Sequence, residues 1–197
     1  MAHYKKHDLN FLAIGIEFEV ANKPENRALL EEFGKELGCK LKADYVCWEV
    51  VTPPIPFGNK EYIHEILQGF ASLNIDPCRE CGTHIHFSYW GKVRYNATHV
   101  FDGAGEVYKF LLDKQDKLDT SKYGRDFNWQ AKRFEPMENL HLPFKLSSLG
   151  RKHWVNFTEF TIEYRLPLFK TVNQFTQVID DCAGIHKELL ALLEKES

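Results

Sequence analysis

An α+β fold, with an antiparallel sheet that packs helices on one face and leaves the other for function, is what this sequence predicts. Three observations predict it. Segments 11–20, 83–89 and 160–166 alternate apolar and polar residues with the two-residue period of half-buried strands. Other segments repeat apolar residues at helical spacing. The two kinds follow one another irregularly, without the strand–helix–strand rhythm of a parallel sheet and without an internal repeat.

In order, FLAIGIEFEV (11–20) sets Ile14, Ile16, Phe18 and Val20 against Gly15, Glu17 and Glu19. Pro24 opens a helix, since a first turn has no use for the N–H that proline lacks, and Leu29, Leu30, Phe33 and Leu37 recur along it up to a C-cap glycine, Gly38. Short extended pieces are expected over 39–43 and 46–52, ended by Pro53, Pro54 and Pro56. Asn59 can N-cap a second amphipathic helix through Ile63, Ile66, Leu67, Phe70 and Leu73. Segment 83–89 sets Ile85, Phe87 and Tyr89 against His84, His86 and Ser88. A third helix is expected over about 98–118, weakened early by Gly103 and Gly105. Segment 120–150 shows no period and carries Arg125, Lys132, Arg133 and Lys145, as a long basic loop. FTIEYRL (160–166) sets Phe160, Ile162, Tyr164 and Leu166 against Thr161, Glu163 and Arg165. Phe175, Val178, Ile179, Cys182, Ile185, Leu189 and Leu193 mark a long closing helix. No linker interrupts this series, so residues 1–197 are expected to form one domain.

The chain has 197 residues, with 25 Lys and Arg against 28 Asp and Glu. A net charge of -3 and a pI near 6.3 give no global basic footprint for nonspecific nucleic-acid binding, though a local basic groove remains open. Five cysteines, an odd count in a chain large enough to build a core without staples, point to reduced thiols in a cytoplasmic protein. Residues 1–10 lack the apolar core of a signal peptide, and no apolar run approaches the ~20 residues of a membrane helix.

The polar faces carry the chemistry. Glu17 and Glu19, His84 and His86, and Glu163 and Arg165 each alternate onto the non-core side of a strand, with Glu49 as a fourth contribution between Trp48 and Val50. Each has an ordinary explanation alone: solvated glutamates, structural histidines, a same-face ion pair. If the strands are neighbours, the carboxylates converge. Two such charges about 5 Å apart repel by roughly 3 kcal/mol at an effective dielectric near 20, which favours bound cations. Oxygen-rich sites with few imidazoles suit Mg²⁺ or Mn²⁺.

Four stretches in order, Gly15-Ile16-Glu17-Phe18-Glu19, Glu49-Val50-Val51-Thr52-Pro53-Pro54, Cys81-Gly82-Thr83-His84-Ile85-His86-Phe87-Ser88 and Thr161-Ile162-Glu163-Tyr164-Arg165, resemble the amidoligase family of the glutamine synthetase-like carboxylate-amine ligases. The resemblance implies a half-funnel antiparallel sheet holding ATP and divalent ions on its polar face. It implies Glu17, Glu19, Glu49 and Glu163 as metal ligands, and His84 directed to a metal or an acidic substrate. His86 would serve the nucleotide phosphates, and Arg165 would neutralise the substrate carboxylate or the transferring phosphoryl group. The implied reaction is ATP- and Mg²⁺-dependent amide formation through an acyl phosphate, with Glu163, Arg165 and His84 as its catalytic residues. The carboxylate and the amine stay open, among them a peptide, a polyamine or a modified nucleobase. The family's Asp-x-Ser is not matched at Asp44-Tyr45-Val46, so Asp44 is given no role.

From residue chemistry, Arg151 and Lys152 are candidates for binding phosphate, with Arg125 or Arg133 as loop alternatives. Two competing readings remain. Cys78, Cys81, His84 and His86 lie within nine residues and offer a zinc module, although the His-x-His spacing is tighter than that of a zinc finger. The chain can also be a non-catalytic binding protein that keeps a ligase-like sheet.

Overall fold

The computed structural model describes residues 12–43, 47–75, 82–89, 100–101, 104–128, 131–136, 144–145, 152–158 and 161–195. Its centre is β1 (Leu12–Ala21), in which alternate residues enter the core as the sequence predicts. Antiparallel neighbours flank β1: β3 (Cys47–Val51) and the short β4 (Ile55–Pro56) on one side, β5 (Thr83–Tyr89) on the other. β2 (Lys40–Ala43) extends the sheet beyond β3, and β9 (Ile162–Tyr164) and β8 (Val155–Phe157) extend it beyond β5. The result is an α+β fold with an open seven-stranded antiparallel sheet in the order β2-β3-β1-β5-β9-β8, with β4 beside β1.

α1 (Pro24–Glu36) begins at the expected proline and ends before Gly38, whose φ of 65° is the left-handed conformation that closes such helices. α2 (Lys60–Ser72) is capped by the Asn59 side chain, which accepts the Tyr62 N–H at 3.2 Å. α5 (Val172–Lys195) closes the fold and buries Phe175, Val178, Ile179, Cys182 and Leu189. Phe18 of β1 stacks on Phe70 of α2 with centroids 4.0 Å apart and meets Phe169 edge-on at 5.8 Å. Burying a ring of that size contributes about 1.5–3 kcal/mol, so this cluster fixes which face of β1 is core. Among the described residues no helix is long and apolar enough to cross a membrane.

Three expectations are corrected. α3 (Ala104–Lys117) starts well after residue 98, and Val100–Phe101 instead forms β6, paired with β7 (Phe144–Lys145). The β-branched and aromatic pair favours a strand, and the two nearby glycines each cost a helix about 1 kcal/mol. Segment 120–150 is not simply loop, because it also holds α4 (Thr120–Tyr123), capped by Asp119 and stopped by Gly124 at φ 84°. The predicted strand 160–166 narrows to Ile162–Tyr164 and gains an unexpected hairpin partner, β8. Thr158 and Thr161 hold that turn, the Thr158 hydroxyl accepting the Thr161 N–H at 2.9 Å.

His186 of α5 is buried in this core against Phe87, with ring centroids 5.0 Å apart, and burial pushes its imidazole down to about 3. An unfolded chain binds the proton near 6.5 while the folded one refuses it, so His186 costs no stability above about pH 6.5 and progressively more as the pH falls toward 3. Denaturant melts of wild type and His186→Phe between pH 7 and 5 are expected to differ in slope by up to about 1.4 kcal/mol per pH unit, the variant being flatter. Parallel profiles would show that His186 takes up its proton in the native state.

Candidate metal and anion site

The register places the predicted polar residues on one face. In antiparallel pairs, directly opposed residues share a side of the sheet. Glu17 lies opposite His84 and Val51, and Glu19 lies opposite Glu49. His86 sits between Gly15 and Glu163, and Asn156 of β8 is opposite Glu163. Five strands therefore contribute to one polar surface, and Glu17, Glu19, Glu49, His84, His86 and Glu163 all stand on it. Arg165 follows β9 and its guanidinium reaches Glu163 Oε1 at 2.5 Å.

This surface is enclosed. Glu19, His84 and Glu163 are 6%, 2% and 5% exposed, far from the solvated glutamates of an ordinary wet face. His84 bridges two carboxylates, with Nδ1 3.1 Å from Glu163 Oε1 and Nε2 3.3 Å from Glu19 Oε2. Asn156 Nδ2 donates to Glu163 Oε2 at 2.7 Å, so both oxygens of Glu163 are engaged. His86 Nε2 lies 3.1 Å from Glu17 Oε2, and its Nδ1 lies 3.4 Å from the Thr161 hydroxyl.

Burial sets the charge states. It pushes His84 below the ordinary imidazole range, which keeps the ring neutral. A neutral ring that donates Nδ1–H to Glu163 turns the lone pair of Nε2 toward Glu19. Burial works to raise Glu163, but the hydrogen bond from His84 and the Arg165 guanidinium outweigh it and hold the carboxyl below its usual range. Glu17 is likewise opposed by burial, yet its hydrogen bond with His86 lowers it to about 2. Glu19 goes the other way, raised to about 8 by burial and by the charges of Glu17 and Glu49. Its Oε2 is buried and, despite the nearby His84 nitrogen, accepts no hydrogen bond among the described residues. An orphaned carboxylate oxygen of this kind costs about 1–3 kcal/mol or more, and a cation would relieve it.

The donor set fits a divalent cation. Ligand atoms of Glu17, His84 and His86 lie within 4.8 Å of one another, as do those of Glu19, Cys47 and Glu49. Glu163, expected as a ligand, meets His84 Nδ1 and the Arg165 guanidinium through Oε1 and Asn156 through Oε2.

Of the remaining candidates, Arg125 lies close enough to this face for its charge to act on Glu19. Arg133 pairs with Asp116 at the exposed surface. Lys152 lies exposed in the turn before β8, where its carbonyl accepts the Lys132 N–H at 2.7 Å. Arg125, expected as a loop phosphate binder, turns inward: Nε donates to the Leu166 carbonyl at 3.0 Å and a terminal nitrogen donates to the Arg165 carbonyl. Asp44, Cys78, Cys81 and Arg151 lie outside the described residues. The zinc module's histidines both meet carboxylates of the sheet, His84 through Nδ1 to Glu163 and His86 through Nε2 to Glu17.

Sequence reasoning missed Cys47 and Asn156. Cys47 is two residues before Glu49 on the same strand, so the two-residue period placed it on the polar face. Asn156 carried no such signal, because β8 itself was not foreseen.

No model of a protein family matches this chain, and no curated protein matches it. A similar solved structure is the ligand-free regulatory subunit of aspartate kinase from Thermus thermophilus, with 9% identity, 92% of this chain and 94% of that chain covered, and a TM-score of 0.30. The expected membership of the amidoligase family is therefore overturned: neither a family model nor a curated protein supports it. So distant a likeness assigns this chain no ligand and no activity.

Proposed function

We propose that the polar face is the active site of an ATP-dependent carboxylate–amine ligase that uses Mg²⁺ or Mn²⁺. One observation carries the reading: carboxylates of Glu17, Glu19 and Glu49 converge with the His84 imidazole on an enclosed sheet face beside the Arg165 guanidinium, and one buried carboxylate oxygen lacks a donor among the described residues. The bound cation would be held by Glu17, Glu19, Glu49 and His84, and it supplies charge neutralisation for phosphoryl transfer. Glu163 orients His84 and Arg165, and Arg165 faces an anionic group of the substrate. His86, with Lys152 and Arg151, would serve the phosphates. A substrate carboxylate oxygen attacks the γ-phosphorus as the bond to ADP breaks, and the amine then displaces phosphate from the acyl phosphate. The sheet acts as a half-funnel that keeps water from this intermediate. Cys39, Cys47 and Cys182 are free thiols, in keeping with a cytoplasmic home.

ADP release from ATP and Mg²⁺ should be measured against pools of amino acids, polyamines and short peptides. ADP formation that requires the metal, a carboxylate and an amine together is expected. ATP left intact in every pool, with no Mg²⁺-dependent nucleotide binding, would contradict the reading and favour a cation-binding protein without turnover.

A further inference from the structure

Cys47 is the residue of the polar face that the ligase reading leaves without a task. It opens β3 opposite Ala21, is fully buried, and is a free thiol. A buried cysteine is commonly a small apolar filler. Here, however, its neighbours are two carboxylates: ligand atoms of Glu19, Cys47 and Glu49 lie within 4.8 Å of one another. An independent observation marks this cluster as built for a ligand. Glu19 is 6% exposed, and its Oε2, although 3.3 Å from His84 Nε2, accepts no hydrogen bond among the described residues.

Oxygen donors alone would suit Mg²⁺, which has little use for sulfur. A thiolate beside two carboxylates suits a cation of intermediate softness. Three protein ligands also leave one tetrahedral position open, as in zinc sites that bind water or substrate. We propose that Glu19, Cys47 and Glu49 form a site for Zn²⁺ or a cation of similar softness, sharing the Glu19 and Glu49 carboxylates with the harder ion held at the Glu17 and His84 end of the same face. The inference rests on the reading above for the cation-holding role of Glu19 and Glu49. On binding, the S–H bond breaks, the metal–sulfur bond forms, and the thiol proton leaves to solvent.

Co²⁺ reports on this directly, since a thiolate ligand gives it an intense near-ultraviolet charge-transfer absorption. Added to the reduced full-length protein, Co²⁺ is expected to develop that absorption, to keep it in a Cys78→Ser/Cys81→Ser variant, and to lose it in Cys47→Ser. Glu49→Gln guards against a folding defect in Cys47→Ser: it retains the thiol, so the absorption should persist and require at least about 10-fold more Co²⁺. No absorption in wild type, its survival in Cys47→Ser, or its loss with Cys78 and Cys81 would each overturn the proposal. Mg²⁺-dependent ATP consumption without any thiolate band would sink this site alone. A thiolate band that meets these tests, with ATP untouched in every substrate pool, would sink the ligase reading and leave the site standing.

Discussion

Glu163→Gln is expected to cut metal-dependent ATP turnover by about 100-fold or more and also to destabilise the fold. The amide keeps the shape of the side chain but puts an NH₂ where Arg165, His84 and Asn156 all bring donors, at 2.5, 3.1 and 2.7 Å. One donor must then face another. Removing one partner of a buried ion pair costs about 3–5 kcal/mol, so a lower Tm is part of the expected result. The functional loss has a separate origin: His84 is no longer obliged to donate through Nδ1, and its Nε2 ceases to be a reliable ligand. Arg165→Lys tests the other arm. It keeps the charge and loses the planar fork, so it should leave Mn²⁺ affinity within about 3-fold while turnover falls steeply. If both variants shift Tm and leave ATP consumption untouched, Glu163 and Arg165 are only a structural pair.

Gly82→Ala is expected to lower stability by about 2–5 kcal/mol, or roughly 5–15 °C in Tm. Gly82 sits at φ 111°, a conformation that side chains avoid, and a Cβ there would run into the Arg125 guanidinium. The collision matters because Arg125 holds the carbonyls of Arg165 and Leu166, and because the Gly82 carbonyl accepts the Glu19 N–H at 3.2 Å. A shift here moves the start of β5 relative to the end of β1. Gly15→Ala is the control. Among the described residues its Cβ would meet His86 Cβ at 3.7 Å, ordinary contact, so a change within about 1 kcal/mol is expected. Equal Tm losses for the two variants would refute this account of Gly82.

The sequence made the faces legible and left the neighbours obscure. Alternation in 11–20 and 83–89 is a local property of the chain, and it assigned Glu17, Glu19, His84 and His86 to the polar side correctly. Strand order and register are properties of the whole sheet. That is why Glu19 facing Glu49, or Glu163 lying between His86 and Asn156, could be wished for but not read. β8 escaped notice because three residues are too few to show a period, and Asn156 escaped with it. The enclosure of the face was also invisible. Alternation marks Glu19 as non-core, and only the packing around it shows that non-core is not exposed. Nor did alternation show that both oxygens of Glu163 meet donors of the protein. The resemblance of the four motifs to a ligase family was carried by short strings, and short strings that alternate glutamate with apolar residues recur wherever a strand has a polar face.

The central claim is that this face holds a divalent cation, and anomalous diffraction from crystals soaked in Mn²⁺ tests it most directly. The account predicts a manganese peak at about 2.1–2.3 Å from carboxylate oxygens of Glu17 or Glu19 and within ligand distance of His84 Nε2. Strong peaks confined to the outer surface of the molecule, with Glu17, Glu19 and Glu49 ordered and bare at saturating Mn²⁺, would contradict it.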